Sequence, residues 1–123
     1  MLFLRGFAPG FLRRRFRAQI ERYEMRDAIA DRFVQGIPLA SGCFMALRTE
    51  LFRSLGGFDA RYFMYFEDYD LSVRLARKAT IAYAPAVRIV HRGGEAATKG
   101  ARHVFWFMRS ARQFFSRHGW KIA

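Results

Sequence analysis

The segment that decides how this chain is interpreted runs from residue 56 to residue 75 and reads GGFDARYFMYFEDYDLSVRL. It places three carboxylates, Glu67, Asp68 and Asp70, close together in a chain that has 22 Lys and Arg against 10 Asp and Glu. An aromatic run precedes them, and so many aromatic side chains cannot all face solvent. A carboxylate beside an apolar wall is partly desolvated, which raises its pKa and its basicity. The segment is therefore typical of a general base, or of an ordinary helix start beside a core.

Length and composition restrict the class of protein. At 123 residues the chain is one domain or part of one, and 52% hydrophobic residues are ample for a core. The net charge of +12 favours nucleic acid, an anionic membrane surface or phosphorylated substrates as partners. No apolar run approaches the roughly 18 residues of a membrane span, and the N-terminus is too broken for a secretory signal. We expect a cytoplasmic protein, with peripheral contact at the inner face of the plasma membrane as an open alternative.

The sequence predicts the order helix, strand, helix, helix, strand, strand, helix. A Gly inside the first strand predicts a bulge or a close approach of the backbone to something else. The predicted elements are a helix over 11–33, a strand over 39–47, a helix over 50–55 capped by Thr49 and ended by Gly56-Gly57, an aromatic loop over 58–66, a helix over 67–78, strands over 81–84 and 87–90, a mobile loop over 95–100 and a helix over 101–117.

Three segments follow from these patterns: residues 1–39, 40–94 and 95–123. The first is a basic amphipathic helix, which either packs on its own domain or lies on an anionic bilayer. The last combines the mobile loop with a basic C-terminal helix, in which His103 and His118 are interpreted as surface residues. Cys43 has no cysteine partner and is interpreted as a small buried hydrophobe.

Two interpretations apply to each carboxylate of the acidic turn. Asp68 is the leading candidate for a general base that takes the proton of a hydroxyl nucleophile, or else it satisfies backbone N–H groups at a helix start. Glu67 and Asp70 could hold the hydroxyls of a sugar acceptor. The alternative for Asp70 is an ion pair with Arg74, four residues on in the same helix.

Two patterns could indicate a metal site. Asp68 and Asp70 have the D-x-D spacing of a nucleotide-sugar metal site, but they begin a helix instead of following a buried strand, so we reject that assignment. His91 ends a β-branched run before Gly93-Gly94, where an imidazole suits a metal ligand or a phosphate contact as well as a structural role.

Residues 40–94 resemble the C-terminal half of the catalytic domain of family 2 glycosyltransferases, especially bacterial rhamnosyltransferase-like members. The resemblance depends on the content, order and spacing of a whole series of residues. The matching elements are Ala40-Ser41-Gly42-Cys43-Phe44-Met45-Ala46-Leu47-Arg48, Gly56-Gly57-Phe58-Asp59, Tyr62-Phe63-Met64-Tyr65-Phe66-Glu67-Asp68-Tyr69-Asp70-Leu71, Arg74-Leu75, Pro85 and Val90-His91.

The resemblance implies an α/β fold, namely part of a GT-A α/β/α sandwich. It also implies an inverting enzyme that moves a sugar from a nucleotide-diphosphate donor to a glycan or lipid-linked acceptor in cell-envelope polysaccharide synthesis. Asp68 matches the catalytic base of the family. Glu67 and Asp70 would help to hold the acceptor, while Arg74 would support the acidic cluster or approach phosphate.

The resemblance also assigns residues outside the acidic turn. His91 matches a histidine that in some members helps to ligate a divalent metal, Mg or Mn, on the diphosphate. Ser41 and Gly42 would line the acceptor side of the cleft. The loop after Gly94 would close over the donor.

The nucleotide-binding N-terminal half of the family has no counterpart in these residues. We therefore expect a partial sandwich with exposed sheet edges, marginal stability or self-association, and no turnover without a chain that supplies the missing half. A basic membrane-surface or protein-interaction module without catalysis is the alternative. Nucleic-acid binding is disfavoured, because no zinc finger, RNP-type or helix-turn-helix pattern is present.

Overall fold

The computed structural model describes Arg14, residues 32–91 and residues 100–119. Within these ranges the order of elements is β1 (Val34–Gln35), α1 (Thr49–Ser54), α2 (Glu67–Ala76), β2 (Ala82–Tyr83) and α3 (Ala101–His118). Strands β1 and β2 form a two-stranded sheet. None of the helices in the described ranges is long and apolar enough to cross a membrane.

The chain divides into two units. Unit 1 comprises residues 1–34 and 83–104, and unit 2 comprises residues 35–82 and 105–123. Of the helix predicted over residues 11–33, Arg14 is helical, and the remainder up to residue 31 lies outside the described residues. The predicted mobile loop over 95–100 also lies outside them, apart from Gly100.

The three helices after residue 48 are confirmed, with small shifts at their ends. Helix α1 begins at Thr49 itself, after Arg48 at the N-cap, so the predicted Thr49 cap is wrong. It ends as predicted, because Gly56 and Gly57 adopt φ of +77° and +68°, which only glycine adopts without strain. Helices α2 and α3 lie within two residues of their predicted bounds.

The predicted strand over 39–47 is wrong. Residues 42 and 43 form a turn, and no strand is present from residue 39 to residue 47. The physical reason is that side chains of α2 take the backbone N–H groups of Ala40 and Gly42, which a neighbouring strand would otherwise bind. The strand predicted over 87–90 is also absent, and Val90 is 88% exposed.

The core of unit 2 is aromatic and lies between α2 and α3. Periodicity places Leu71 and Leu75 on one face of α2, and both are buried. Helix α3 contributes Phe107 and Phe114, and the loop before α2 contributes the rest of the core. The buried apolar residues of this unit are Tyr62, Phe66, Leu71, Leu75, Phe107 and Phe114.

Candidate functional site

The acidic helix start is positioned by a strained turn. Tyr65 and Phe66 have φ of 68° and 66°, the left-handed region that large side chains avoid. Such conformations cost about 1–3 kcal/mol each and persist only where the surroundings fix them. Helix α2 begins at Glu67, directly after this turn, with three carboxylates in its first turn.

Aromatic packing holds this turn in place. The Phe66 ring is 3% exposed and lies 5.2 Å from the Phe107 ring and 5.3 Å from the Phe114 ring, centroid to centroid. Ser110 of α3 also donates a hydrogen bond of 2.7 Å to the Met64 carbonyl. The burial of Phe66 offsets the backbone strain, and this fixes where the carboxylates begin.

Asp68 lies against the turn at Gly42. The Gly42 N–H donates a hydrogen bond of 2.7 Å to Asp68 Oδ2, across 26 residues of sequence. A Cβ atom added at Gly42 would lie 3.1 Å from the Asp68 Cβ atom, so only glycine fits there without displacing the carboxylate. The close backbone approach predicted for Gly42 is confirmed, and its partner is the candidate base.

Ser72 holds the same segment one turn further along α2. Its hydroxyl accepts the Ala40 N–H at 3.0 Å and donates to the Asp68 carbonyl at 2.8 Å. Ser72 is fully buried. Residues 40–42 are therefore attached to α2 through two side chains, and this arrangement fixes the position of Asp68.

The Asp68 carboxylate keeps capacity for a ligand. It accepts Gly42 N–H through Oδ2 and Tyr69 N–H, at 2.8 Å, through Oδ1. An ionised carboxylate has about four lone-pair sites, so two backbone bonds orient it and leave it able to accept a hydroxyl proton. Asp68 is partly exposed, and no cation pairs with it among the described residues.

Glu67 lies beside Asp68, and its carboxyl group is partly desolvated. Burial raises the pKa of the Glu67 carboxyl, and the neighbouring Asp68 charge raises that pKa further. Glu67 Oε2 is buried and has no hydrogen-bond partner in the structure. A buried polar oxygen without a partner calls for an explanation, and here the polar group of a bound ligand could supply the missing hydrogen bond.

Asp70 faces the opposite way and is fully buried. Its Oδ2 accepts Arg74 Nε–H at 2.7 Å, which confirms the predicted ion pair. Its Oδ1 lies 2.7 Å from His118 Nε2 and 3.3 Å from Arg117 Nη1. Because a carboxylate only accepts, His118 Nε2 carries the hydrogen. This geometry favours the ion-pair interpretation over direct contact between Asp70 and an acceptor.

Arg74 connects the acidic turn to the glycine pair that ends α1. Its Nη1 donates to the Leu55 carbonyl at 2.7 Å, and its Nη2 donates to the Gly57 carbonyl at 2.9 Å. With Asp70 on Nε, each of the three guanidinium nitrogens donates one hydrogen bond inside the protein. The predicted support of the acidic cluster is observed, and this geometry does not favour an approach of Arg74 to phosphate.

A second carboxylate completes this network. Asp59 accepts Arg61 Nη2–H and Arg117 Nη1–H, each at 2.6 Å. The hydrogen bonds from Arg61 hold the pKa of Asp59 far below its usual range. Tyr62 is buried beside the network, and burial together with the Asp70 charge raises the pKa of Tyr62 to about 12. The Gly-Gly-Phe-Asp sequence is thus joined to α3 by the salt bridge from Asp59 to Arg117, and to α2 by the hydrogen bond from Arg74 to the Gly57 carbonyl.

Two interpretations of single residues are wrong. His118 was expected at the surface, but its side chain is 3% exposed and contacts Asp70. Cys43 was expected to be buried, but it is exposed, because the segment before α1 is a turn and not a core strand. No local pattern indicates the His118 contact, since the two residues lie 48 positions apart.

His91 belongs to unit 1 and is exposed. In the described parts of the chain no three His, Cys, Asp or Glu residues are grouped as a metal site would require. His91 offers a single ligand there, so these residues do not by themselves form a site for a divalent metal. We derive no chemical step through a metal.

Comparison with curated proteins identifies partial relatives. The chain is 42% identical over 52 residues to N-acetylglucosaminyl-diphospho-decaprenol L-rhamnosyltransferase of Mycobacterium tuberculosis, a match that covers 42% of the chain and 17% of that protein. It is 42% identical over 52 residues to the rhamnosyltransferase WbbL of Escherichia coli, which covers 20% of that protein. These matches support a relationship to glycosyltransferases for this segment, which spans about a fifth of the relatives' length. No family model matches the chain. No solved structure matches it either.

Proposed function

We propose that this chain carries the acceptor-side part of an inverting glycosyltransferase with a GT-A-like fold. The observation that carries the proposal is the partial similarity to two rhamnosyltransferases, combined with an Asp68 carboxylate that the fold orients at a partly exposed helix start. By this proposal the chain acts on a nucleotide-diphosphate sugar and a glycan or lipid-linked acceptor, in keeping with the names of the relatives.

Asp68 would act as the general base. The Gly42 and Tyr69 N–H groups hold the carboxylate in one orientation, so that a free lone pair can take the proton of an acceptor hydroxyl. The hydroxyl oxygen then attacks the anomeric carbon, and the bond from that carbon to the diphosphate breaks. One displacement inverts the configuration at the anomeric carbon, and the proton ends on Asp68.

Glu67 would position the acceptor. Its Oε2 is buried without a hydrogen-bond partner, so this oxygen could accept a hydrogen bond from one sugar hydroxyl while the neighbouring Asp68 accepts from the attacking hydroxyl. Two neighbouring acceptor groups would bind the hydroxyl pair of a sugar in one orientation. Ser41 is exposed beside Gly42 and borders the same surface.

Residues 40–94 can be tested inside an active relative. We would replace the corresponding segment of Escherichia coli WbbL with residues 40–94 and measure sugar transfer by the purified chimera. Transfer is expected to persist, and Asp68→Asn is expected to reduce it about 10²–10⁴-fold, which is the usual contribution of a general base. Glu50→Gln, which removes a carboxylate from the exposed side of α1, is the matched control and should leave transfer unchanged.

The result also separates catalysis from folding. If the folded chimera transfers sugar equally well before and after the Asp68→Asn substitution, the base assignment is excluded. A folded chimera without any transfer would argue against an acceptor-side role for this segment. The chain assayed alone is expected to show no turnover.

A further inference from the structure

Three aromatic rings form a continuous row on the surface of unit 2. The Phe63 and Trp106 ring centroids are 4.7 Å apart, and the Trp106 and Phe105 centroids are 5.3 Å apart. The two outer rings are 65% and 60% exposed, and Met108 nearby in α3 is 54% exposed. Scattered exposed apolar residues are ordinary, but a contiguous group marks an interaction site.

Cations lie among these apolar side chains. The Arg109 guanidinium lies 5.3 Å from the centre of the Trp106 ring, and Arg112 is exposed one turn further on. No ion pair holds either arginine in the part of the chain that the structure describes. Arg117 of the same helix differs, because it pairs with Asp59 and Asp70.

Helical spacing places the apolar and the cationic side chains on one face. Phe105, Met108, Arg109 and Arg112 follow the pattern i, i+3, i+4 and i+7, whereas Phe107, Ser110 and Phe114 are buried. Helix α3 contains no Asp or Glu. We call this exposed face, together with Phe63 and Trp106, the aromatic ridge.

The combination of exposed apolar side chains and arginines on the ridge favours one class of partner. At a bilayer interface, Phe and Met side chains enter the boundary of the acyl chains, while Arg side chains stay among the phosphate headgroups. A nucleic acid would use the arginines but would leave Phe105 and Met108 in water. A charge of +12 without a carboxylate on the ridge favours an anionic surface over a neutral one.

We propose that the aromatic ridge of unit 2 is a binding surface for bilayers that contain anionic phospholipid. The ridge is distinct from residues 1–39, where the sequence alone predicted membrane contact. The proposal depends on this surface and not on the glycosyltransferase assignment, so either can fail without the other. For an enzyme with a lipid-linked acceptor, such a surface would hold the protein at the membrane where that acceptor lies.

Trp106 can report the contact directly. The chain has two tryptophans, so Trp120→Phe leaves Trp106 as the only one. Phosphatidylcholine vesicles that contain phosphatidylglycerol should shift Trp106 emission to shorter wavelength, and brominated acyl chains should quench it. Vesicles of phosphatidylcholine alone should do neither. A chain that binds neither kind of vesicle, or that binds without any change at Trp106, would overturn the proposal.

Paired substitutions test the charges of the ridge. Arg109→Gln with Arg112→Gln should weaken binding to the anionic vesicles roughly 25-fold, since each surface arginine contributes about a five-fold factor. The control removes the same charge elsewhere, through Arg53→Gln with Arg77→Gln, which are both exposed. The control should weaken binding much less. Equal losses in both variants would mean attraction by net charge alone and would exclude the ridge.

A second pair of substitutions tests the apolar part. Phe105→Ser with Met108→Ser should weaken vesicle binding about ten-fold, because less apolar area enters the bilayer. Phe44→Ser with Val90→Ser, at positions 52% and 88% exposed, is the control and should have little effect. If the Phe105 and Met108 pair has no effect while the arginine pair weakens binding to short duplex DNA, the surface binds nucleic acid and the proposal is wrong.

Discussion

Asp68 and Asp70 lie two residues apart in the first turn of α2, and the fold places them in opposite environments. Asp68 is partly exposed and is bound by backbone N–H groups alone. Asp70 is fully buried among Arg74, Arg117 and His118. A helix turns about 200° in two residues, so one carboxylate faces the surface and the other faces the core. The same residue type can therefore be available for chemistry on one side and be structural on the other.

The two sides also differ in what holds them. On the Asp68 side, the segment over residues 40–42 is attached by hydrogen bonds to the side chains of Asp68 and Ser72. On the Asp70 side, Arg74 of α2 and Arg117 of α3 both pair with one buried carboxylate, and Arg74 also donates to the Leu55 carbonyl after α1. The first arrangement leaves a carboxylate free for a ligand, and the second joins three elements into one unit.

The two aspartates should differ most clearly in their contribution to stability. Asp70→Asn should lower the free energy of unfolding by about 3–5 kcal/mol, because it removes the buried carboxylate that Arg74, Arg117 and His118 share. Asp68→Asn should lower it by about 1 kcal/mol or less, because a partly exposed carboxylate loses only part of its backbone bonding. Urea denaturation followed by circular dichroism measures both. Equal losses in the two variants would contradict the division between a chemical and a structural carboxylate.

A smaller loss is expected on the Asp68 side when Ser72 is changed. Ser72→Ala should cost about 1–2 kcal/mol, because the Ala40 N–H loses a buried acceptor. Amide hydrogen exchange at Ala40 and Gly42 should become faster. A general loss of stability would instead speed exchange throughout the protein. Ser54→Ala removes an exposed hydroxyl from α1 and should change neither quantity. Unchanged exchange at Gly42 would show that Ser72 does not position this segment.

The weakest effect concerns Glu67 and pH. Burial raises the pKa of Glu67 above its ordinary value of 4.5. Between pH 4.5 and the raised pKa, the folded protein therefore binds more protons than the unfolded chain. The contribution of Glu67 to the free energy of unfolding therefore falls as the pH rises through this range. Glu67→Gln should raise the urea midpoint slightly at pH 7, and the gain should vanish below pH 4.5. A gain that is the same at both pH values would mean that Glu67 is not buried as described.

Local patterns predicted the three helices after residue 48 well. The spacing of Leu71 and Leu75 indicated the buried face of α2, and paired glycines indicated the end of α1. The sequence resemblance directed attention to Asp68 and Gly42, and the partial relatives support a glycosyltransferase relationship for a segment of the chain. The GT-A-like sandwich, the divalent metal and the functional roles of the site residues, including Asp68 as the base, stay predictions.

Local sequence is enough to decide which segments are helical and where the carboxylates are concentrated, because both depend on residues a few positions apart. Which carboxylate is free depends on tertiary contacts. His118 lies 48 positions from Asp70, and Gly42 lies 26 positions from Asp68. No periodicity relates residues so far apart, since their contact depends on how the aromatic core brings α2, α3 and the turn at Gly42 together. The expected strand at residues 39–47 is absent for the same reason. The side chains of Ser72 and Asp68, distant in sequence, accept the N–H groups of Ala40 and Gly42 that would otherwise bind a neighbouring strand.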